Sequence, residues 1–187
     1  MLIYSMSVSV DGFIADRAGG FGWTVPNEEQ FRFHLAQTRE LGGFLCGPRL
    51  YEAMLVWKTD PSLRDNELGP AFRRRLVCDP EGRPQPHARG RSGQRPARRA
   101  SVAEETAAAL DATDKDVAIG GAGLAAAAIE LGLVDELRTF RNPIVVDGGT
   151  PFLPPVTEDA LLDLIETRTF GSRVIYESYG RARDESG

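Results

Sequence analysis

Apolar and polar positions recur along this chain with two different periods, and the change of period marks out strands and helices. Leu2 to Val10 alternates loosely and is rich in Ile, Val, Tyr and Ser, which predicts a strand closed by Asp11-Gly12. Phe13, Ile14 and Ala15 return to apolar character before a glycine-rich loop, Asp16 to Gly22, that leads into Trp23. From such a loop the Trp23 ring either covers a ligand or pins the loop to the core. Phe31, Leu35 and Thr38 recur at helical spacing behind Asn27 and Gln30, a capping-box pair, so a helix is expected over 28–40. His34 falls within it and is given no role.

Gly43 to Gly47 reads as a short buried strand around Phe44-Leu45-Cys46. Pro48 then stands where a first helical turn tolerates it, and Arg49 to Met54 continue as a helix. Trp57 to Pro70 is polar and loop-like. Ser101-Val102-Ala103-Glu104 forms a second capping box that starts a helix running through Leu110. Val117, Ala118 and Ile119 make an apolar run, Gly120-Gly121 follows at once, and an alanine-rich helical segment begins without a polar spacer. Leu137 to Val146 is strand-like, with Pro143 suggesting an edge or a bulge. Asp147-Gly148-Gly149-Thr150-Pro151 is a turn. Leu161 to Phe170 and Arg173 to Tyr179 read as an antiparallel pair joined at Gly171-Ser172, and Arg181 to Gly187 as a tail.

Composition narrows this pattern to a globular protein. The 187 residues suffice for one sizeable core, and 42% hydrophobic content without any apolar run of membrane-spanning length points to a cytoplasmic protein with no membrane partner. Cys46 and Cys78 lack the close spacing of redox or zinc motifs, so neither a disulfide nor a metal site is expected of them. With His34 and His87 the only imidazoles, a Ser/His/Asp triad has little to draw on, and the chemistry must come from backbone, carboxylates, hydroxyls or a cofactor.

Charge singles out one segment. Residues 73–99 hold nine arginines against Asp79 and Glu81, a balance of +7, so a chain of net charge −5 carries −12 elsewhere. The same segment has no Ile, Phe, Tyr or Trp but contains Pro80, Pro84, Pro86 and Pro96, a composition that supports no core strand. Its arginines could neutralise nucleic-acid phosphates, yet interleaved aromatics and a recognisable module are lacking, so nucleic acid is not the expected partner.

The candidate chemistry sits on turns. In the Gly120-Gly121 turn, glycines permit close backbone approach, and the helix that follows directs its first N–H groups at whatever lies there, an arrangement suited to a phosphate. The same turn also serves as a simple short connection. The strand, glycine and helix start at Gly47 to Glu52, with Arg49 beside it, is a second such terminus, and two of them suit an extended phosphate-bearing ligand.

Taken together, S-V-S-V-D-G-F-I-A, L-C-G-P-R-L-Y-E, I-G-G-A-G-L and V-V-D-G-G-T-P-F resemble the dihydrofolate reductase-like superfamily, in particular the reductase domain of bacterial riboflavin biosynthesis. The resemblance implies a single α/β domain over residues 1–180, with a central mixed, mostly parallel sheet flanked by helices and antiparallel C-terminal strands. It further implies NADPH as hydride donor, a small heterocyclic substrate such as a pyrimidine or pterin, and a homodimer. Cofactor-binding positions carried over by the motifs are Gly47, Arg49, Gly120, Gly121, Ala122, Gly123 and Leu124, with Ile14 and Ala15 along the nicotinamide. Substrate-facing positions are Ser9, Asp11, Gly12, Gly148, Gly149 and Thr150. Asp11, the one carboxylate of these motifs placed to orient a heterocycle, is the catalytic candidate; its other reading is an Asx cap of its own turn.

Two departures bear on activity. Pro48 stands where the family commonly has arginine, and the strand carrying a Ser-Arg-Thr type cofactor motif should fall within residues 73–99, where it is missing. Read one base out of frame, codons for Pro80 to Arg83 can spell Pro-Lys-Val-Val and those for Gln85 to Arg89 can spell Ser-Arg-Thr-Leu. A compensated pair of frameshifts near Phe72 and Ala100 would account for the segment, and the underlying DNA decides it. A chain made as written could be a remnant with an impaired cofactor site.

Overall fold

A computed structural model of the chain describes residues 1–47, 50, 101–155 and 159–182. Its strands are β1 (Leu2–Val8), β2 (Phe13–Ala15), β3 (Gly43–Cys46), β4 (Val117–Gly120), β5 (Glu136–Arg141), β6 (Thr150–Pro151), β7 (Leu162–Thr169) and β8 (Ile175–Arg181). The helices are α1 (Glu28–Glu40), α2 (Val102–Asp111) and α3 (Ala122–Glu130). Apart from Leu50, the sequence reading for Arg49 to Met54, for Trp57 to Pro70, for the 73–99 segment and for Cys78 and His87 lies outside the described residues.

Leu2, Ile3 and Tyr4 are buried in succession because β1 lies in the middle of a sheet that is covered on both faces. The order is β3-β4-β1-β5-β8-β7. β1 is parallel to β4 and β5, β3 is parallel to β4, and β8 and β7 run antiparallel. This is the mixed α/β sheet with antiparallel C-terminal strands that the motifs imply.

Alternation along the strands sends their side chains to two cores. Leu2, Tyr4, Val117 and Ile119 pack with Ala109 of α2 and Ala125 and Ala128 of α3, where alanines let both helices approach the sheet closely. On the opposite face Ile3 and Ala118 meet Leu41, while Phe140, Phe170 and Tyr176 surround Phe33 of α1. Phe33 stands edge-on to all three of these rings at 4.8–6.0 Å, the geometry aromatic quadrupoles prefer.

Local signals set the helix ends. Both expected capping boxes are present, Asn27 with Gln30 on α1 and Ser101 with Glu104 on α2. α3 ends in a Schellman motif: Gly132, at φ +67°, donates to the Ile129 carbonyl and Leu133 to that of Ala128.

Two expectations need correction. Pro143 marks neither an edge nor a bulge, because β5 ends at Arg141 and lies between β1 and β8. The Asn142 N–H still donates to the Val8 carbonyl and the chain bends at Pro143, beyond the end of β5, so the missing proline N–H removes no bond within that strand. The tail begins later than Arg181, which still pairs with Leu162, and the Ala182 N–H donates to the Leu161 carbonyl.

Candidate functional site

Four mutually parallel strands have their carboxyl ends along one edge of the sheet, at Val8, Cys46, Gly120 and Arg141. In open α/β sheets that edge is where ligands bind. The described candidate positions follow these strand ends in two groups.

The first group joins the turns after β3 and β4. The Gly47 N–H donates to the Gly120 carbonyl at 2.9 Å. Gly121 adopts φ +93° and stands so close that a Cβ there would lie 3.4 Å from the Gly47 backbone, while one on Gly120 would meet Leu50. At Gly121 the positive φ is what favours glycine, whereas at Gly120 a side chain would require the end of Leu50 to move. Gly121 is the N-cap of α3 and supplies no side-chain cap, in contrast to the boxes on α1 and α2. The first N–H used within α3 is that of Ala125, bonded to the Gly121 carbonyl, which leaves those of Ala122, Gly123 and Leu124 without an intrahelical acceptor. Gly123 is exposed, and a Cβ on it would meet nothing within 4 Å among the described residues. Arg49 lies outside the described residues.

The second group joins the turn after β1 to the loop after β5. Ser9 is fully buried, its hydroxyl accepting the Phe13 N–H, and the Gly12 carbonyl accepts the Phe152 N–H. Asp11 reaches across to the other loop: its two carboxylate oxygens accept the N–H groups of Val146, at 3.2 Å, and Asp147, at 2.8 Å. It is therefore more than an Asx cap of its own turn. The Ser9 side chain, foremost, and these backbone donors hold the Asp11 carboxyl below its ordinary range. Beyond this anchor, Asp147 has φ +53°, Gly148 +122° and Gly149 +127°. Gly149 runs against Ala15 and Asp16, and Thr150 pairs with Ala15 in the small β2–β6 sheet. Ile14 packs partly into the core beneath, and Phe152 stacks on Tyr4 with centroids 4.6 Å apart.

Because both Asp11 oxygens bond to the loop, Asp11→Ala should speed amide exchange at Val146 and Asp147 in hydrogen-exchange measurements. In the wild type the anchor is complete above the ordinary carboxylate pKa and is released as pH falls through the depressed value. Unchanged exchange in the variant would remove this role.

One feature was not evident from the sequence. A cavity of about 290 Å³ opens between the Trp23 loop, the start of α1 and the loop after β5, lined by Trp23, Val25, Asn27, Gln30, Asn142 and Ile144 among others. It borders the Asp11 turn, since the Val10 N–H donates to the Ile144 carbonyl. Asn142 is buried and fixed by donating to the Val8 and Phe140 carbonyls. The Trp23 indole N–H is buried without a partner among the described residues. The glycine-rich loop before it singles out Trp23 in the sequence, but no pattern distinguishes Asn142 from any polar residue following a strand.

Known proteins share this architecture. A riboflavin biosynthesis protein, so assigned provisionally, from Shewanella sp. PV-4 superposes with a TM-score of 0.71 at 19% identity, over 97% of this chain and 99% of that one. The diaminohydroxyphosphoribosylaminopyrimidine deaminase/5-amino-6-(5-phosphoribosylamino)uracil reductase of Thermotoga maritima superposes with a TM-score of 0.61 at 16% identity, over 97% of this chain but 56% of that one. At these identities the likeness establishes the fold. The uncharacterised protein YyaP of Bacillus subtilis is 42% identical over 60 residues, a match spanning 32% of each protein. The profile of the RibD C-terminal domain family matches residues 1–176, and the chain belongs to that family.

Proposed function

We propose that the protein is an NADPH-dependent reductase of a small heterocycle, similar to the 5-amino-6-(5-phosphoribosylamino)uracil reductases of riboflavin biosynthesis. The observation that carries the cofactor assignment is Gly123. Glycine is a poorer helix former than alanine, and here no packing neighbour among the described residues requires one. It stands in the first turn of α3 beside three N–H groups without intrahelical acceptors, where a missing side chain leaves room for a phosphate. Gly47, Gly120, Gly121, Ala122 and Leu124 complete that cradle, and the resemblance adds Arg49, outside the described residues, as a cofactor-binding position. Bound there, NADPH would supply the hydride.

The chain's own residues orient and enclose. Asp11 fixes the Val146–Thr150 loop against β2, so Gly12, Gly148, Gly149 and Thr150 form the wall of the substrate side over the buried Ser9, with Ile14 and Ala15 toward the nicotinamide. The cavity beside Trp23 has a volume of the order of a single heterocycle and is lined by amide side chains next to Trp23, Val25 and Ile144. A second reading, a fold that has lost cofactor affinity, is favoured by Pro48 and by the arginine-rich 73–99 segment.

Titration of the purified protein with NADPH and NADH, followed by nicotinamide fluorescence and thermal stability, separates the two. Stabilisation that prefers NADPH is expected. No response to either nucleotide would favour the remnant.

A further inference from the structure

Two buried amide side chains, Gln30 and Asn142, line the cavity beside Trp23, and each is locked at one end. The Gln30 Oε1 accepts the Asn27 backbone N–H at 3.2 Å and the Ser172 hydroxyl at 3.0 Å. The Asn142 Nδ2 donates to the Val8 carbonyl at 3.3 Å and to the Phe140 carbonyl at 2.9 Å. These bonds fix which way round each amide stands. A backbone N–H can meet only the oxygen of Gln30, and backbone carbonyls can meet only the nitrogen of Asn142.

The opposite end of each amide is left over. Gln30 Nε2, a donor, and Asn142 Oδ1, an acceptor, have no hydrogen-bond partner among the described residues, although Gln30 is only 4% exposed and Asn142 only 7%. The indole N–H of Trp23, which lines the same cavity, is buried without a partner among the described residues. An unmade hydrogen bond at a buried polar group is costly, so three such groups around one cavity call for a guest that pairs with them. Their chemistry describes that guest: it must supply an acceptor to Gln30, a donor to Asn142 and a further acceptor to Trp23. A cyclic amide, with a ring N–H beside a carbonyl, supplies the first two on one uncharged edge. A protonated amidine, whose edge carries donors only, would set its N–H groups against that of Gln30.

Building on the reading of this cavity as the substrate side, we propose that Gln30 and Asn142 are its specificity-determining pair, which reads an uncharged cyclic amide. Gln30 donates to the carbonyl, Asn142 accepts from the adjacent ring N–H, and Trp23 donates to a second acceptor on the ring. The pair stands on firm supports. Gln30 is the N3 residue of α1, held there by the capping box with Asn27, and Asn142 directly follows β5 between β1 and β8.

Gln30→Glu turns the free donor into an acceptor at constant size. The capping box should survive, since glutamate is a usual N3 partner and a negative charge suits a first helical turn, so the variant should fold. The test is a nitrogen-15 NMR titration of the full chain with two probes of like shape, uracil, a cyclic amide, and 2,4-diaminopyrimidine in its protonated form, an amidinium. In the wild type uracil should shift the side-chain amide signals of Gln30 and Asn142 and the indole signal of Trp23, and should bind about ten-fold more tightly than the amidinium. Gln30→Glu should reverse that preference, and Trp23→Phe should weaken uracil by about ten-fold. Uracil that leaves those three signals unmoved overturns the proposal, as does a preference unchanged in Gln30→Glu. NADPH is titrated separately. A protein that shows the uracil preference and its reversal without binding NADPH keeps this pair and loses the reductase reading, whereas NADPH binding with an unchanged preference in Gln30→Glu does the opposite.

Discussion

Gly149→Ala should lower stability by about 3–5 kcal/mol, or close to 10 °C in Tm for a chain of this size. The residue has φ +127°, a conformation that L side chains rarely adopt. An added Cβ would also stand 2.1 Å from the Ala15 carbonyl oxygen and 2.5 Å from the Asp16 carbonyl carbon, contacts that no rotamer change relieves. Either Thr150 must leave its pairing with Ala15 or the whole β2 segment must move. Gly22→Ala provides the comparison, because a Cβ there meets nothing within 4 Å and φ is ordinary, so its effect should stay within about 0.5 kcal/mol. Equal melting temperatures for the two variants would show that the turn is far softer than its geometry implies.

His34 should account for the second large effect. Its ring lies against Phe140 with centroids 4.0 Å apart, and burial pushes its pKa down from 6.5 to about 4. The unfolded chain therefore takes up a proton near pH 6.5, whereas the native protein resists until about pH 4. Between those values the unfolded state binds more protons, so stability falls as pH falls. The full span is worth roughly 3 kcal/mol, of which about 2 kcal/mol is lost between pH 7 and pH 5. Urea denaturation at these two pH values should show that loss in the wild type, and His34→Leu should remove most of it. A variant with the same pH dependence as the wild type would mean that His34 is solvated.

His34 also shows where a single sequence becomes opaque. A lone histidine on a helix looks the same whether it faces water or a core, and only packing of α1 across β5 and β8 decides it. Elements fixed by nearest neighbours were more accessible. The two capping boxes located α1 and α2 because N-cap and N3 residues satisfy each other within four positions. The apolar run at Val117 to Ile119 marked a central strand because burial on both faces removes the polar alternation.

Asp11 lies between these cases. The sequence identified it as the carboxylate of the first motif, but its partners at Val146 and Asp147 are 135 and 136 residues away. Only the tertiary fold could assign those bonds. Asn142 and the cavity it borders likewise depend on three separated segments meeting. Pro143 misled because a proline in a strand-like run normally signals an edge, whereas here the strand had already ended.

If the glycine turn opening α3 receives a dinucleotide phosphate, NADPH titration of the wild type beside Gly123→Asp should separate the two proteins. The new side chain enters open space, and a carboxylate in a first helical turn adds about 0.3–1 kcal/mol of helix stability, so the variant should melt no lower than the wild type without ligand. NADPH should stabilise the wild type and not the variant, because the carboxylate would occupy and repel at the phosphate position. NADPH binding that is equal in the two proteins would contradict a phosphate at that turn.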